Sequence, residues 1–150
     1  MANTVGLSEA NRIAQFMGLR GWKSIHEVEL VERVARGLPT STLPTILKRI
    51  DPSGVYLEIF DIVPKATFYR QREAQKPLTK NQSEMVFALS KVFSEVLRMY
   101  DGNRELAAMF LARRHPMLRG RSPMELAKES TAGADLVLTL LSRAEAGVAV

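Results

Sequence analysis

Residues 116–148 read PMLRGRSPMELAKESTAGADLVLTLLSRAEAGV, and this stretch carries the signals that decide the fold. Ser122 to Glu125 has the form of a capping box. In such a box the serine hydroxyl accepts the N3 amide proton, the glutamate reaches back to the serine amide, and proline occupies the first helical position. Ser130 to Gly133 begins a longer helix that we expect to end near Gly147. The stretch therefore predicts two consecutive helices, and it contains no catalytic motif.

The rest of the chain shows helical periodicity, with short connections and no segment that alternates at period two. We therefore predict an all-α fold class. The expected helices run from Ser8 to Met17, from a capping box at Ser24 to the residue before Gly37, from Thr42 to Ile50, from Asp51 through Phe60, over about ten residues after Pro64, from a capping box at Thr79 to Tyr100, and from Asn103 to the residue before Pro116. The wide apolar stripe of the helix from Thr79 to Tyr100 is expected to pack partly within the chain and partly in a homodimer.

The 150-residue chain has no cysteine and a formal net charge of +5. The lack of cysteine excludes disulfides and thiolate zinc sites. No apolar run approaches the ~20 residues that span a bilayer, and the first residues lack the pattern of a secretory signal. We therefore expect a cytoplasmic protein with no membrane partner. The excess of positive charge favours an acidic partner, of which nucleic acid is the commonest.

Positive charge concentrates in residues 61–82 and in residues 104–128. Residues 42–73 suit a helix-turn-helix, in which the last helix enters the major groove and the preceding one braces it. At about 100° per residue, a core-facing Phe68 places Arg70 on the outward face, whereas Lys65 and Arg72 lie nearer the core. The candidate DNA-binding residues are Lys65, Thr67, Tyr69, Arg70, Gln71 and Arg72.

Three ordered motifs connect the C-terminal stretch to a known family. They are P-x-L-x-G-x-S/T-P-x-E-L at Pro116 to Leu126, T-x-G-A-x-x-V-x-x-x-L at Thr131 to Leu141, and R-x-E-x-G-V at Arg143 to Val148. Together they resemble the toxin-binding domain of the Xre/MbcA/ParS antitoxin family. The resemblance implies a type II antitoxin that silences a partner toxin of the RES-domain class, which attacks NAD. It also implies repression of the operon that encodes both proteins, and thus operator DNA as a second partner.

The basic segment is similar to the N-terminal helix-turn-helix of that family, whose pattern is T-L-x-R-R, a short linker, and then L-S/T-x-x-x-S-E. Here Thr67 to Gln71 and Leu78 to Glu84 occupy those positions, with Gln71 where the family often has a second arginine. We expect an N-terminal arm at 1–23, an Xre-like helix-turn-helix at 24–82, a connecting and dimerisation helix at 83–102, and a toxin-binding domain at 103–150. A homodimer is expected because a symmetric dimer matches a palindromic operator.

We expect residues 131–150 to cover the substrate cleft of the toxin as a rigid plug, in which a few anchored side chains supply the affinity. Leu138 falls outside the apolar stripe of the last helix and is expected to face a partner. The small residues from Ala132 to Ala134 permit the close approach of another backbone. The candidate toxin-binding residues are Arg119, Arg121, Leu138, Arg143, Glu145, Val148 and Val150.

Signatures of catalysis are missing from the sequence. There is no P-loop, no G-x-G-x-x-G after a strand and no G-x-S-x-G elbow, and His26 and His115 are not spaced as metal ligands. We therefore expect no enzyme activity, cofactor or metal. Two alternatives stay open. One is a stand-alone helix-turn-helix transcriptional regulator whose C-terminal half only dimerises, and the other is a protein-interaction inhibitor that has lost DNA binding.

Overall fold

The structure, a computed structural model, describes residues 7–58 and 62–147. These residues form α-helices joined by turns and short 3₁₀ segments, and they contain no β-strand. The α-helices are α1 (Glu9–Phe16), α2 (Glu27–Arg36), α3 (Thr42–Ile50), α4 (Lys65–Glu73), α5 (Lys80–Met99), α6 (Arg104–Ala112), α7 (Pro123–Glu129) and α8 (Thr131–Glu145); the 3₁₀ helices are Trp22–Ser24 and Pro116–Leu118. The predicted all-α fold class is confirmed.

Helix α5 is the central element, and it packs against α1, α2, α3, α6, α7 and α8. Its side chains Leu89, Phe93 and Val96 are fully buried. The ring of Phe93 meets Phe16 of α1 edge to face, with centroids 6.4 Å apart. Other helices of the same chain cover most of this apolar stripe, and Phe87 and Leu97 stay half-buried, so a dimer contact there stays a prediction. The homodimer itself stays a prediction.

Side-chain caps begin five of the described helices at the predicted residues, Ser122 of α7 among them. Ser8 and Thr79 form complete capping boxes at the starts of α1 and α5. Asn103 and Ser130 accept hydrogen bonds from the N3 amides of α6 and α8, at 3.1 and 3.0 Å. Such caps satisfy amide protons that have no partner within the helix. These positions were readable from sequence because a cap depends on residues only three apart.

Two of the predicted capping boxes differ in the structure. Ser24 ends a 3₁₀ helix, and α2 begins at Glu27 without a side-chain cap. Ser122 does accept the Glu125 amide proton at 3.1 Å. The Glu125 carboxylate, however, lies 3.8 Å from Arg121 Nε. Only the serine half of that box therefore forms, since the glutamate has a cationic neighbour instead.

The helix expected from Asp51 through Phe60 is wrong over residues 51–58, which form turns and bends. The buried carboxylate of Asp51 accepts hydrogen bonds from the amides of Tyr56 and Leu57, both at 2.9 Å. An aspartate that binds nearby amides competes with the helical hydrogen-bond pattern. Residues 59–61 of the expected helix lie outside the described residues.

Buried apolar residues from Ala10 of α1 to Leu141 of α8 form one cluster. Helix α5 contributes to that cluster along most of its length, so the N-terminal and C-terminal helices share its core. The boundaries expected at residues 23, 82 and 102 stay a prediction. The fold thus holds the basic helix α4 near the start of α5 and the helices α6, α7 and α8 near its end.

Candidate functional site

Helix α4 presents a basic outer surface. Phe68 anchors the helix because its side chain is only 4% exposed. Arg70 is exposed, which confirms the predicted orientation of these two residues. Tyr69 is exposed as well, and Thr67 is partly buried. Lys65 and Arg72, expected nearer the core side of the helix, have exposed side chains as well.

Gln71 has a positioning contact in the structure. Its Nε2 donates a hydrogen bond to Oε1 of Gln82 at 2.9 Å. The same oxygen accepts the amide proton of Thr79 at 2.9 Å, as part of the capping box of α5. The Oε1 atom of Gln71 is buried and has no hydrogen-bond partner among the described residues. Gln71 therefore ties α4 to the first turn of α5.

The segment that follows α4 is fixed to the loop between α2 and α3. The Leu78 amide donates to the Leu38 carbonyl at 2.8 Å, and the Leu38 amide donates to the buried hydroxyl of Ser83 at 2.8 Å. Gly37 permits this approach, because a Cβ at that position would stand 2.6 Å from the Leu78 carbonyl oxygen. These bonds hold the exit of the basic helix in place.

The loop from Arg113 to Arg121 joins α6 to α7 and is held by its own backbone. The His115 amide donates to the Arg121 carbonyl at 3.1 Å, and the His115 carbonyl accepts from the amides of Leu118 and Gly120, both at 3.0 Å. Arg119 and Gly120 take left-handed backbone conformations at the tip of this loop, with φ of 56° and 77°. Arg119 is exposed there. The loop therefore presents Arg119 to solvent from a backbone that its own hydrogen bonds hold.

Two of the predicted toxin-binding residues already have ionic partners within the chain. Arg121 is bonded to Glu129 and lies near Glu125. Glu145 accepts a hydrogen bond from Nη2 of Arg98 on α5 at 2.7 Å. The Arg98 guanidinium donates hydrogen bonds to Glu95 and Glu145. These bonds raise the pKa of Arg98 above its ordinary value, and the bond to Glu95 contributes more. These contacts tie the end of α8 to α5.

The other predicted toxin-binding residues have different surroundings. Leu138 packs partly against the core, and Leu136 is the leucine of α8 that stands 45% exposed. Because α8 contacts both α5 and α7, its covered face is wider than one stripe. Contact of Leu138 with a partner stays a prediction. Arg143 is exposed. Val148 and Val150 lie outside the described residues.

An apolar groove opens between α8 and the Arg113–Arg121 loop, with a volume of about 490 Å³. We call it the α8 groove. It is lined by Met99, Tyr100, Phe110, His115, Pro116, Met117, Leu118, Pro123, Val137, Leu140, Leu141 and Ala144. The His115 ring lies 5.2 Å from the Phe110 ring, and its Nε2 is buried without a hydrogen-bond partner among the described residues.

Sequence reasoning missed the α8 groove, because its lining comes from α5, α6, the loop, α7 and α8. No single periodic stripe marks it. Met117 was a weak sequence signal of this groove, because a large apolar side chain next to Pro116 in a tight loop cannot easily reach the core. It is 59% exposed in the structure.

The described residues also contain no group of three or more His, Asp or Glu side chains placed to hold a metal ion. Among residues 7–58 and 62–147, no helix has the length and apolar character needed to cross a membrane.

Comparison with known protein families gives one finding. Residues 95–147 match the family model described as the antitoxin Xre/MbcA/ParS C-terminal toxin-binding domain. The match begins within α5 and includes α6, α7 and α8. No curated protein matches the chain. The family match supports an antitoxin role in a toxin–antitoxin system, which is a regulatory role rather than an enzymatic one, and it implies a toxin partner.

Proposed function

We propose that this chain neutralises a RES-class, NAD-consuming toxin by steric cover and represses its own operon through helix α4. The observation that carries the proposal is the match of residues 95–147 to an antitoxin toxin-binding domain. The RES class of the toxin follows from the resemblance of the three C-terminal motifs described above. We further propose that the protein acts in the cytoplasm, as a homodimer on a palindromic operator.

Neutralisation by this domain needs no chemistry of its own. Helices α6, α7 and α8 form a unit that is packed against α5 and closed by short loops. A preformed surface loses little conformational entropy on binding, and a few anchored side chains then supply most of the affinity. Arg119 and Arg143 are exposed on this unit and are our first candidates for contact with the toxin. We propose that Arg121 and Glu145 contact the toxin as well, together with Val148 and Val150, which lie outside the described residues.

The basic helix α4 supports the DNA-binding half of the proposal. Phe68 and Gln71 fix the helix to the chain, and Arg70 and Arg72 remain exposed. Arginine reads guanine O6 and N7 through two hydrogen bonds, and any Lys or Arg can also hold phosphates. We propose that Arg70 contacts a base and that Lys65 and Arg72 contact the backbone, with Thr67, Tyr69 and Gln71 at the edges.

Co-expression with the product of the adjacent gene tests the proposal. We expect that product alone to stop growth and lower cellular NAD, and we expect the intact chain to restore both. A catalytically inactive variant of the adjacent product serves as the control, because it should leave growth unchanged. If the two proteins neither co-purify nor affect each other, the stand-alone regulator becomes the better description.

A further inference from the structure

We propose that the α8 groove receives one large apolar side chain of the toxin. In the toxin, acidic residues flank that side chain, and a polar group beside it bonds to His115 Nε2. This inference rests on the proposed function and names the surface and the chemistry of the partner.

The size and the lining of the groove set the kind of occupant. Its volume of about 490 Å³ falls within the range of roughly 300–1,000 Å³ that binding cavities occupy. Val137 and Leu141 are buried and form its floor, while Met117 stands at the rim with 59% of its surface exposed. Methionine at a rim adapts its shape to an inserted side chain. Such a site suits a leucine, methionine or aromatic anchor.

His115 adds a directional requirement to this apolar site. Its Nε2 is buried and lacks a partner among the described residues, and a buried polar atom without a hydrogen bond destabilises the free protein. The main-chain bonds of His115 to the loop, together with the Phe110 ring, hold the imidazole in place. A polar group brought by the toxin would satisfy this nitrogen on binding. The site therefore favours an apolar anchor beside which a main-chain amide or carbonyl, or a tyrosine hydroxyl, can reach this nitrogen.

The position and charge of the groove favour the toxin over a second copy of this chain. Every lining residue, from Met99 to Ala144, lies within the matched range 95–147. Within two residues of the lining in sequence, Arg113, Arg114, Arg119 and Arg143 outnumber Asp101 and Asp135. All six are exposed and have no salt bridge among the described residues. A second copy would bring the same excess of positive charge against this one, and like charges repel. A toxin segment with acidic flanks is the complementary partner.

Filling the groove tests the inference. Ala144 is exposed at its edge, so Ala144→Trp should place an indole in the groove with little effect on the core. Ala132→Trp is the matched control, because Ala132 is exposed near the other end of α8 and outside the groove. We expect Ala144→Trp to weaken binding of the purified product of the adjacent gene by about thirtyfold or more, the size of an interface hot spot. The control should stay within about threefold of the unmodified chain.

A second variant keeps the test independent of folding. His115→Phe retains an aromatic ring beside Phe110 and removes Nε2, so we expect a melting temperature no lower than that of the unmodified chain and about tenfold weaker binding. Binding that matches the control in both groove variants overturns the inference while leaving the antitoxin role intact. Dissociation of a homodimer by Ala144→Trp with toxin binding unchanged also overturns it, in favour of a second copy. Absence of binding by the unmodified chain points to failure of the proposed function itself.

Discussion

Gly133 in the first turn of α8 lies against the main-chain carbonyl of Leu126 in α7: a Cβ on Gly133 would stand 1.9 Å from that oxygen. From the sequence, the small residues around Gly133 indicated close approach to another backbone. The approach occurs, and the backbone belongs to the same chain. Ala134 beside it is fully buried. The small residues thus set the packing of α7 on α8, which shapes one side of the α8 groove.

We predict that Gly133→Ala lowers the free energy of unfolding by about 1–3 kcal/mol or more, since a methyl group forced against a backbone oxygen must displace a helix. The sign of this change is informative, because alanine stabilises a helix relative to glycine by about 1 kcal/mol where the methyl group has room. Urea denaturation measures the change. Ala132→Ser, at an exposed neighbouring position, should stay within about 0.5 kcal/mol, and a stabilised Gly133→Ala protein would contradict this packing.

A second prediction concerns the loop that replaces the expected helix after α3. Asp51→Ala removes the carboxylate that accepts the amides of Tyr56 and Leu57. Because such amides lose a charged acceptor, we expect a loss of about 1–3 kcal/mol of stability. Thermal unfolding followed by circular dichroism measures it. Lys48→Ala is the control at an exposed position of α3, and equal stability of the two variants would count against the structural role of Asp51.

These two sites show which features the sequence could predict. The caps at Ser8, Thr79, Asn103 and Ser130 depend on residues three apart, and the pattern identified each of them. The turn at Asp51 was missed because its carboxylate serves amides five and six residues later, a geometry that periodicity cannot distinguish from a helical start. The partial burial of Leu138 could not be predicted, because it depends on which helices surround α8.

The candidate site shows the same division. The orientation of Arg70 followed from Phe68 alone, since both lie on one short helix. The α8 groove required the relative positions of five segments, and no local pattern of residues encodes those positions. Gln71 had been grouped with the DNA contacts, and only the structure reveals its bond to Gln82.

The third prediction concerns DNA. Arg70→Ala should weaken binding to the chain's own promoter by about 1–3 kcal/mol if the guanidinium reads a base, with little effect on random DNA. Lys65→Ala should weaken all sequences alike and reduce the salt dependence, because one fewer counterion is released. Gel shifts at several salt concentrations measure both.

Lys23→Ala supplies the control for these measurements, since Lys23 is an exposed cation in the 3₁₀ helix after α1 and far from α4 in sequence. It should bind as the unmodified chain does. Equal affinity of the unmodified chain for promoter and random DNA would contradict specific repression by α4.

The fourth prediction concerns the ion pair between Arg98 and Glu145, whose side chains are 48% and 50% exposed. Exposed pairs are screened by water and salt, so we expect Glu145→Gln to change the free energy of unfolding by less than about 1 kcal/mol. The effect should shrink further as salt rises. A loss of several kcal/mol in denaturant titrations would instead make the pair a structural requirement for α8.

The fifth prediction is the most direct test of neutralisation by the C-terminal surface. Leu141 is the last buried residue of α8, and residues 142–147 are all exposed, so a chain that lacks residues 143–150 should keep its fold and its DNA affinity. The measurement is the rate of NAD consumption by the purified product of the adjacent gene, titrated with the intact and with the truncated chain. We predict that the intact chain abolishes the reaction at a fixed molar ratio and that the truncated chain leaves most of it. If the intact chain fails to inhibit an NAD-consuming product, that result would contradict the antitoxin assignment. Full inhibition by the truncated chain would contradict the role of residues 143–150 and move the inhibitory surface to the Arg113–Arg121 loop.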